Sequence, residues 1–173
     1  PYIAMEYVDG QSVLSLNSQL SLVQKVRLIQ DVAEALHSAH RIGIIHRDIK
    51  PQNVLVETKS DGRLRPVLMD FGLARDVNEG LGLTDSGAVM GTPWYMSPEQ
   101  TRGETKKMDR RTDIYSLGAT LYDLLVGKPP FHSETTVDAL ILGMLHTPPV
   151  ASSFDPGIPK ALDVIVEIGR AHV

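Results

Sequence analysis

Between Ile44 and Val56 the sequence reads IIHRDIKPQNVLV, with His46, Arg47, Asp48, Lys50, Gln52 and Asn53 crowded between two apolar runs. A solvated surface loop carries such charges at little cost, and exposed ion pairs add little stability. Loops are nevertheless seldom flanked so closely by strand-forming Ile and Val. The residue types suit phosphoryl transfer to a hydroxyl. That reaction needs a carboxylate to orient the hydroxyl and accept its proton, cations near the transferring oxygens, and hard oxygen ligands for magnesium. Asp48 is the candidate carboxylate. Lys50, two residues on, falls on the same side of an extended segment and can reach a phosphate. Asn53 and Asp70 offer one uncharged and one charged oxygen to a metal.

Such a cluster needs elements to position it. Tyr2–Val8 has a strand pattern, ended by the turn pair Asp9-Gly10. Leu22, Val26, Ile29, Ala33 and Leu36 recur in steps of four and three, which predicts one apolar helix face. Ser21 with Gln24 offers a capping box at its start, and Gly43 a stop. Two strands follow, Asn53–Glu57 and Leu64–Met69, joined across Ser60-Asp61-Gly62 as a hairpin. The hairpin returns Asn53 and Asp70 to the same end. From Phe71 to about Gly91 no period is sustained and glycine recurs, which predicts a long loop. Further helices are expected over Thr112–Val126, over Thr136–Leu145 and after Pro159. The fold class is α+β: mainly α with a small β-hairpin.

The chain has 173 residues, a net charge of -4, 42% hydrophobic and 22% charged residues, which are ordinary globular values. Lys and Arg are scattered, with one short cluster at Lys106–Arg111 that reads as a solvated loop before a helix, so no nucleic-acid partner is expected. The absence of cysteine excludes disulfides and thiolate metal sites and fits a reducing compartment. The longest apolar run, Ala139–Leu145, is too short to span a bilayer, so no membrane segment is expected in this chain. His37 and His40 share a helix face without an evident carboxylate partner and read as surface or core histidines, not metal ligands.

HRDIKPQN at His46–Asn53 resembles the catalytic loop of eukaryotic-type serine/threonine protein kinases, with Ile49 where Leu is common. Asp70-Phe71-Gly72 resembles the family's magnesium-binding triplet, and Ser97-Pro98-Glu99 the end of its activation segment, with Ser for the usual Ala. Each triplet alone is weak; all three in order are specific, and Lys50 favours the serine/threonine branch. The resemblance implies a kinase-like C-lobe with its hinge, ATP and magnesium (or manganese) as cofactors, and proteins bearing Ser or Thr as substrates. It also assigns roles. Asp48, Lys50 and Thr92 would be catalytic, Thr92 bridging the other two, and Asn53 and Asp70 would bind the metal. The hinge would supply the Glu6 carbonyl and Val8 amide to adenine, beside Met5, with Ser12 near the ribose and Leu55 under the ring. Arg47 would pair with an activating phosphate on Thr84 or Ser86, since Ala88 occupies another common site and cannot carry one. His46 would buttress the Asp70 triplet, and Asp113 would be the buried anchor of the catalytic loop, the alternative being a charge near a helix dipole. Glu99 would require an arginine that the chain does not contain.

The wording of YMSPEQ and TDIYSLGATLYDLLVGKPPF is closer to bacterial members, which implies a cytoplasmic kinase domain whose parent can be membrane-anchored elsewhere. The resemblance covers residues 1–167 as a partial kinase domain, with 168–173 (IGRAHV) read as a non-native tail. It includes no glycine-rich loop, strand lysine or partner glutamate of an N-lobe. Two other functions fit parts of the pattern: an aminoglycoside-type phosphotransferase, against which the Thr92–Glu99 segment argues, and a pseudokinase or scaffold, against which intact Asp48, Asn53 and Asp70 argue. Residues 1–173 alone are expected to have negligible activity. Detectable ATP-dependent phosphorylation of a generic protein substrate by this chain would contradict that.

Overall fold

The computed structural model describes residues 6–71, 93–133 and 135–170. Helices dominate, and a three-stranded antiparallel sheet in the order β1-β2-β3 carries the hairpin. The strands are β1 (Gln11–Ser12), β2 (Val54–Thr58) and β3 (Leu64–Leu68). The first strand lies later than the apolar pattern implies: Glu6–Val8 is not in a strand, and Tyr2–Met5 lies outside the described residues. What sets β1 is tertiary pairing, Gln11 opposite Val56 and Ser12 opposite Leu55. Gly10 makes this approach possible, because a Cβ there would sit 2.7 Å from the Val56 carbonyl oxygen.

A single turn of helix, α1 (Val13–Leu16), follows, then α2 (Leu22–Arg41). The capping box at the start of α2 is present: Gln24 donates its amide to Ser21 Oγ at 3.3 Å, and Ser21 donates its own to Gln24 Oε1 at 2.8 Å. Its end is a Schellman motif, with the Ile44 amide donating to the Ala39 carbonyl (3.0 Å) and the Gly43 amide to that of His40 (3.1 Å). Gly43 takes φ +80° there, a conformation open to glycine without strain. The buried stripe of α2 is Leu28, Ile29, Val32 and Leu36, one residue round from the predicted face; Leu22, Val26 and Ala33 flank it, half-buried.

The other helices are α3 (Pro98–Thr101), α4 (Arg110–Val126), α5 (Thr136–Leu145) and α6 (Lys160–Arg170). Asp109 caps α4 by accepting the Arg111 amide at 2.8 Å, so this helix begins two residues before the predicted Thr112 and takes up part of the basic cluster. Gly127 ends it at φ +81°. The Lys25 ammonium donates to the Leu124 carbonyl at 2.8 Å, placing a cation on the negative end of α4, and burial draws its pKa below the ordinary lysine value. The core joins the α2 stripe to Leu117, Leu121, Tyr122 and Leu124 of α4, Leu162 and Val166 of α6, and Ile49, Val54 and Val56 below the catalytic cluster. Among the described residues no helix is long and apolar enough to cross a membrane.

Gly10→Ala is expected to push β1 away from β2 and cost about 1–3 kcal/mol, read as a lower thermal midpoint; an unchanged midpoint would rule out the close approach to Val56.

Candidate active site

The loop between α2 and β2 has no repeating hydrogen-bond ladder, so its backbone must be held from elsewhere. Asp113, in the first turn of α4 and 0% exposed, does this. Its Oδ2 accepts the His46 amide at 2.9 Å and its Oδ1 the Arg47 amide at 2.8 Å. His40 Nε2 lies 2.7 Å from the same Oδ2. A buried carboxylate is costly unless its acceptor sites are filled, and here both oxygens are used. His40 therefore has the carboxylate partner that its local sequence does not reveal. The one available signal was its position four residues after Leu36, on the buried side of α2.

With its amide pinned, Arg47 sits at φ +67°, a left-handed conformation that an arginine adopts only under external constraint. This turn points the next residue, Asp48, back across the loop. The ring of His46 is fully buried under it: Nδ1 accepts the Asp48 amide at 3.2 Å, and Nε2 lies 2.9 Å from the Met69 carbonyl. The carbonyl can only accept, which places the hydrogen on Nε2. The same ring packs against Phe71 with centroids 4.6 Å apart. His46 thus connects the Asp48 loop to the Asp70-Phe71 step.

Three predicted residues converge. Lys50 Nζ donates to Asp48 Oδ2 at 2.8 Å, and Asn53 Nδ2 donates to the same oxygen at 3.0 Å and to the Asp48 carbonyl at 2.8 Å. The Asp48 and Lys50 side chains remain 33% and 19% exposed, so their outer faces are reachable. Asn53 is buried, and its Nδ2 is spent on Asp48, which leaves Oδ1 as its available ligand atom. The Met69 amide donates to the Asn53 carbonyl at 2.8 Å, so β3 delivers the exposed Asp70 beside Asn53 at φ +58°. One amide oxygen and one carboxylate form a donor set that fits magnesium, which takes few protein oxygens and completes its shell with phosphate and water.

Ser12 and Leu55 face each other in the β1–β2 register, with Leu55 half-buried. Ser12 Oγ also caps α1 by accepting the Ser15 amide at 3.2 Å. Glu6 is exposed and Val8 half-exposed, and the Val8 carbonyl accepts the Gly10 amide at 3.1 Å. Thr92, Thr84, Ser86, Ala88 and Met5 lie outside the described residues. Among the described residues the Arg47 Nε is buried without a hydrogen-bond partner.

Behind the cluster, Pro93–Tyr95 forms a 3-10 turn that leads to α3. The Tyr95 hydroxyl donates to Asp123, and its carbonyl accepts Ser116 Oγ at 2.8 Å. Burial, with the Asp123 carboxylate beside it, pushes the Tyr95 phenol far above the ordinary tyrosine value. Burial also pushes Asp123 up, opposed by the Tyr95 hydrogen bond and, more weakly, by the His132 charge. Glu99 is buried and accepts the Thr112 hydroxyl, and Arg111 is held protonated chiefly by Asp109 with a smaller contribution from Glu99. Glu99, for which the resemblance implies an arginine, thus has a hydroxyl partner on α4 among the described residues.

A family profile for the protein kinase domain matches residues 1–159. The chain belongs to the protein kinase domain family. It is 42% identical over 171 residues to a Bifidobacterium longum protein named "Probable serine/threonine-protein kinase PknB", covering 95% of this chain and 24% of that one. It is 38% identical to serine/threonine-protein kinase PknB of Mycolicibacterium smegmatis and 37% identical to PknB of Mycobacterium tuberculosis, each over 96% of this chain and 26% of the relative. The chain therefore spans about a quarter of the length of the curated relatives it matches.

Asp113→Asn places an amide donor against at least one of the His46 and Arg47 amides. It should cost about 2–4 kcal/mol in denaturant unfolding and speed amide exchange at His46 and Arg47; unchanged exchange there would exclude the anchor.

Proposed function

We propose that this chain carries the catalytic lobe of a protein kinase that transfers the γ-phosphoryl group of ATP to Ser and Thr hydroxyls of proteins. The observation that carries this reading is the convergence of Lys50 and Asn53 on the Asp48 carboxylate, on a loop whose backbone is tied to Asp113. Asp48 orients the substrate hydroxyl and takes its proton as the oxygen attacks the phosphorus. Lys50, already beside that carboxylate, places its cation next to the transferring phosphoryl oxygens. Asn53 Oδ1 and Asp70 hold magnesium, which when bound neutralises charge on the phosphates. The Glu6 carbonyl and Val8 amide receive adenine, with Leu55 under the ring and Ser12 near the ribose, a placement supported by the pairing of Ser12 with Leu55.

Thr92 is assigned to bridge Asp48 and Lys50 from the activation segment. Arg47 is assigned to receive a phosphate on Thr84 or Ser86, which the free Nε supports. The kinase reading assigns this domain to the cytoplasm, where ATP is supplied, with any membrane anchor of the parent elsewhere. The test is Asp48→Asn in the full-length protein that contains this chain. Phosphate transfer to a Ser/Thr protein substrate should fall by about 10²–10⁴-fold with an unchanged thermal midpoint. Retained transfer in that variant would remove Asp48 from the reaction, and transfer to tyrosine alone would remove the substrate class.

A further inference from the structure

Gln100 lies outside the residues assigned above, yet it reaches the peptide that carries Asp48. We propose that Gln100 is a positioning residue for catalysis, a clamp from α3 on the Arg47–Asp48 peptide; this rests on the kinase reading of the same site. Gln100 is 5% exposed, and both ends of its amide are used. Its Oε1 accepts the Ser97 amide at 3.1 Å, which caps α3, and its Nε2 donates to the Arg47 carbonyl at 2.7 Å. The other side of that peptide is the Asp48 amide, which donates to His46 Nδ1 at 3.2 Å. The plane is therefore fixed at both its polar groups.

This matters because Arg47 is held at φ +67°, where an L-residue relaxes if its restraints weaken. Asp113 fixes the amide entering Arg47, and Gln100 fixes the carbonyl leaving it. Rotation of that carbonyl would carry the Asp48 side chain with it, and misplacement of a reacting group by about 1 Å costs up to about 10²-fold in rate. The clamp also has a direction: it comes from the segment after Tyr95, so the order of residues 93–100 and the aim of Asp48 are joined through one side chain. An amide of this length has both the acceptor for Ser97 and the donor for Arg47, which neither a carboxylate nor a thioether offers.

The experiment compares Gln100→Glu and Gln100→Met in the full-length protein. Gln100→Glu keeps the acceptor for Ser97 but sets a carboxylate against the Arg47 carbonyl; Gln100→Met removes the donor without adding charge. Both should lower kcat about 10- to 100-fold and leave the KM for ATP within about twofold. A carboxyl at this buried position regains a donor when protonated, and burial favours that form. The kcat of Gln100→Glu relative to the unsubstituted protein should therefore rise from pH 8 to pH 6, while the same ratio for Gln100→Met stays flat. An unchanged kcat in both variants, or a flat ratio for Gln100→Glu, overturns the proposal. If the unsubstituted protein transfers no phosphate, the kinase reading fails separately. The clamp is then read by hydrogen exchange of residues 44–53: faster exchange in both variants supports it, and exchange equal to the unsubstituted protein overturns it.

Discussion

One buried carboxylate carries the geometry of the site. Asp113 is wholly excluded from water, a position in which an unpaired charge is among the most costly things a protein can hold. It is tolerable because the catalytic loop has backbone amides with no ladder to join, and His40 stands on its other side. Each partner solves the other's problem: the loop's orphan donors satisfy the acid, and the acid lets Arg47 stay in a left-handed turn. Remove that exchange and the loop has no reason to keep Asp48 pointed where Lys50 and Asn53 meet it.

The same helix repeats the device. Twelve of the seventeen residues of α4 are buried, so it is enclosed on all sides and not merely along one stripe. Inward polar side chains there need partners, and four of them find theirs in neighbouring segments. Asp113 takes the catalytic loop, Thr112 takes Glu99 of α3, Ser116 takes the Tyr95 carbonyl, and Asp123 takes the Tyr95 hydroxyl. Segments distant in sequence thereby share one rigid reference.

What could be read in advance follows the range of the interactions. The capping box and Gly43 stop of α2 depend on residues three or four apart, and the hairpin depends on one turn; both were legible. Asp48, Lys50, Asn53 and Asp70 could be proposed together because they lie close in sequence or across that hairpin. The two-residue β1 was not legible, since its pairing with β2 and the space left by Gly10 are tertiary facts. Nor were the partners of His40, Tyr95, Glu99 and Gln100, which join positions 13 to 73 residues apart through buried polar atoms. Periodicity reports which face is apolar; it does not report which hydroxyl meets which carboxylate.

The pattern of exposure explains why so much of the site lay hidden. Groups that must touch a substrate cannot be sealed, and Asp48 and Lys50 keep part of their surface open to solvent. In water such side chains would wander among rotamers, and an exposed ion pair alone does little to stop them. Their order has to come from behind, from groups dry enough for each hydrogen bond to be strong and costly to break. His46, Asn53, Gln100 and Asp113 are all buried, and each bonds to the backbone or side chain of residues 46–48. Asp48 and Lys50 stand on the surface of this frame. On the proposed reading the chemistry can therefore be named from two or three residues, while its precision in space depends on buried groups behind them.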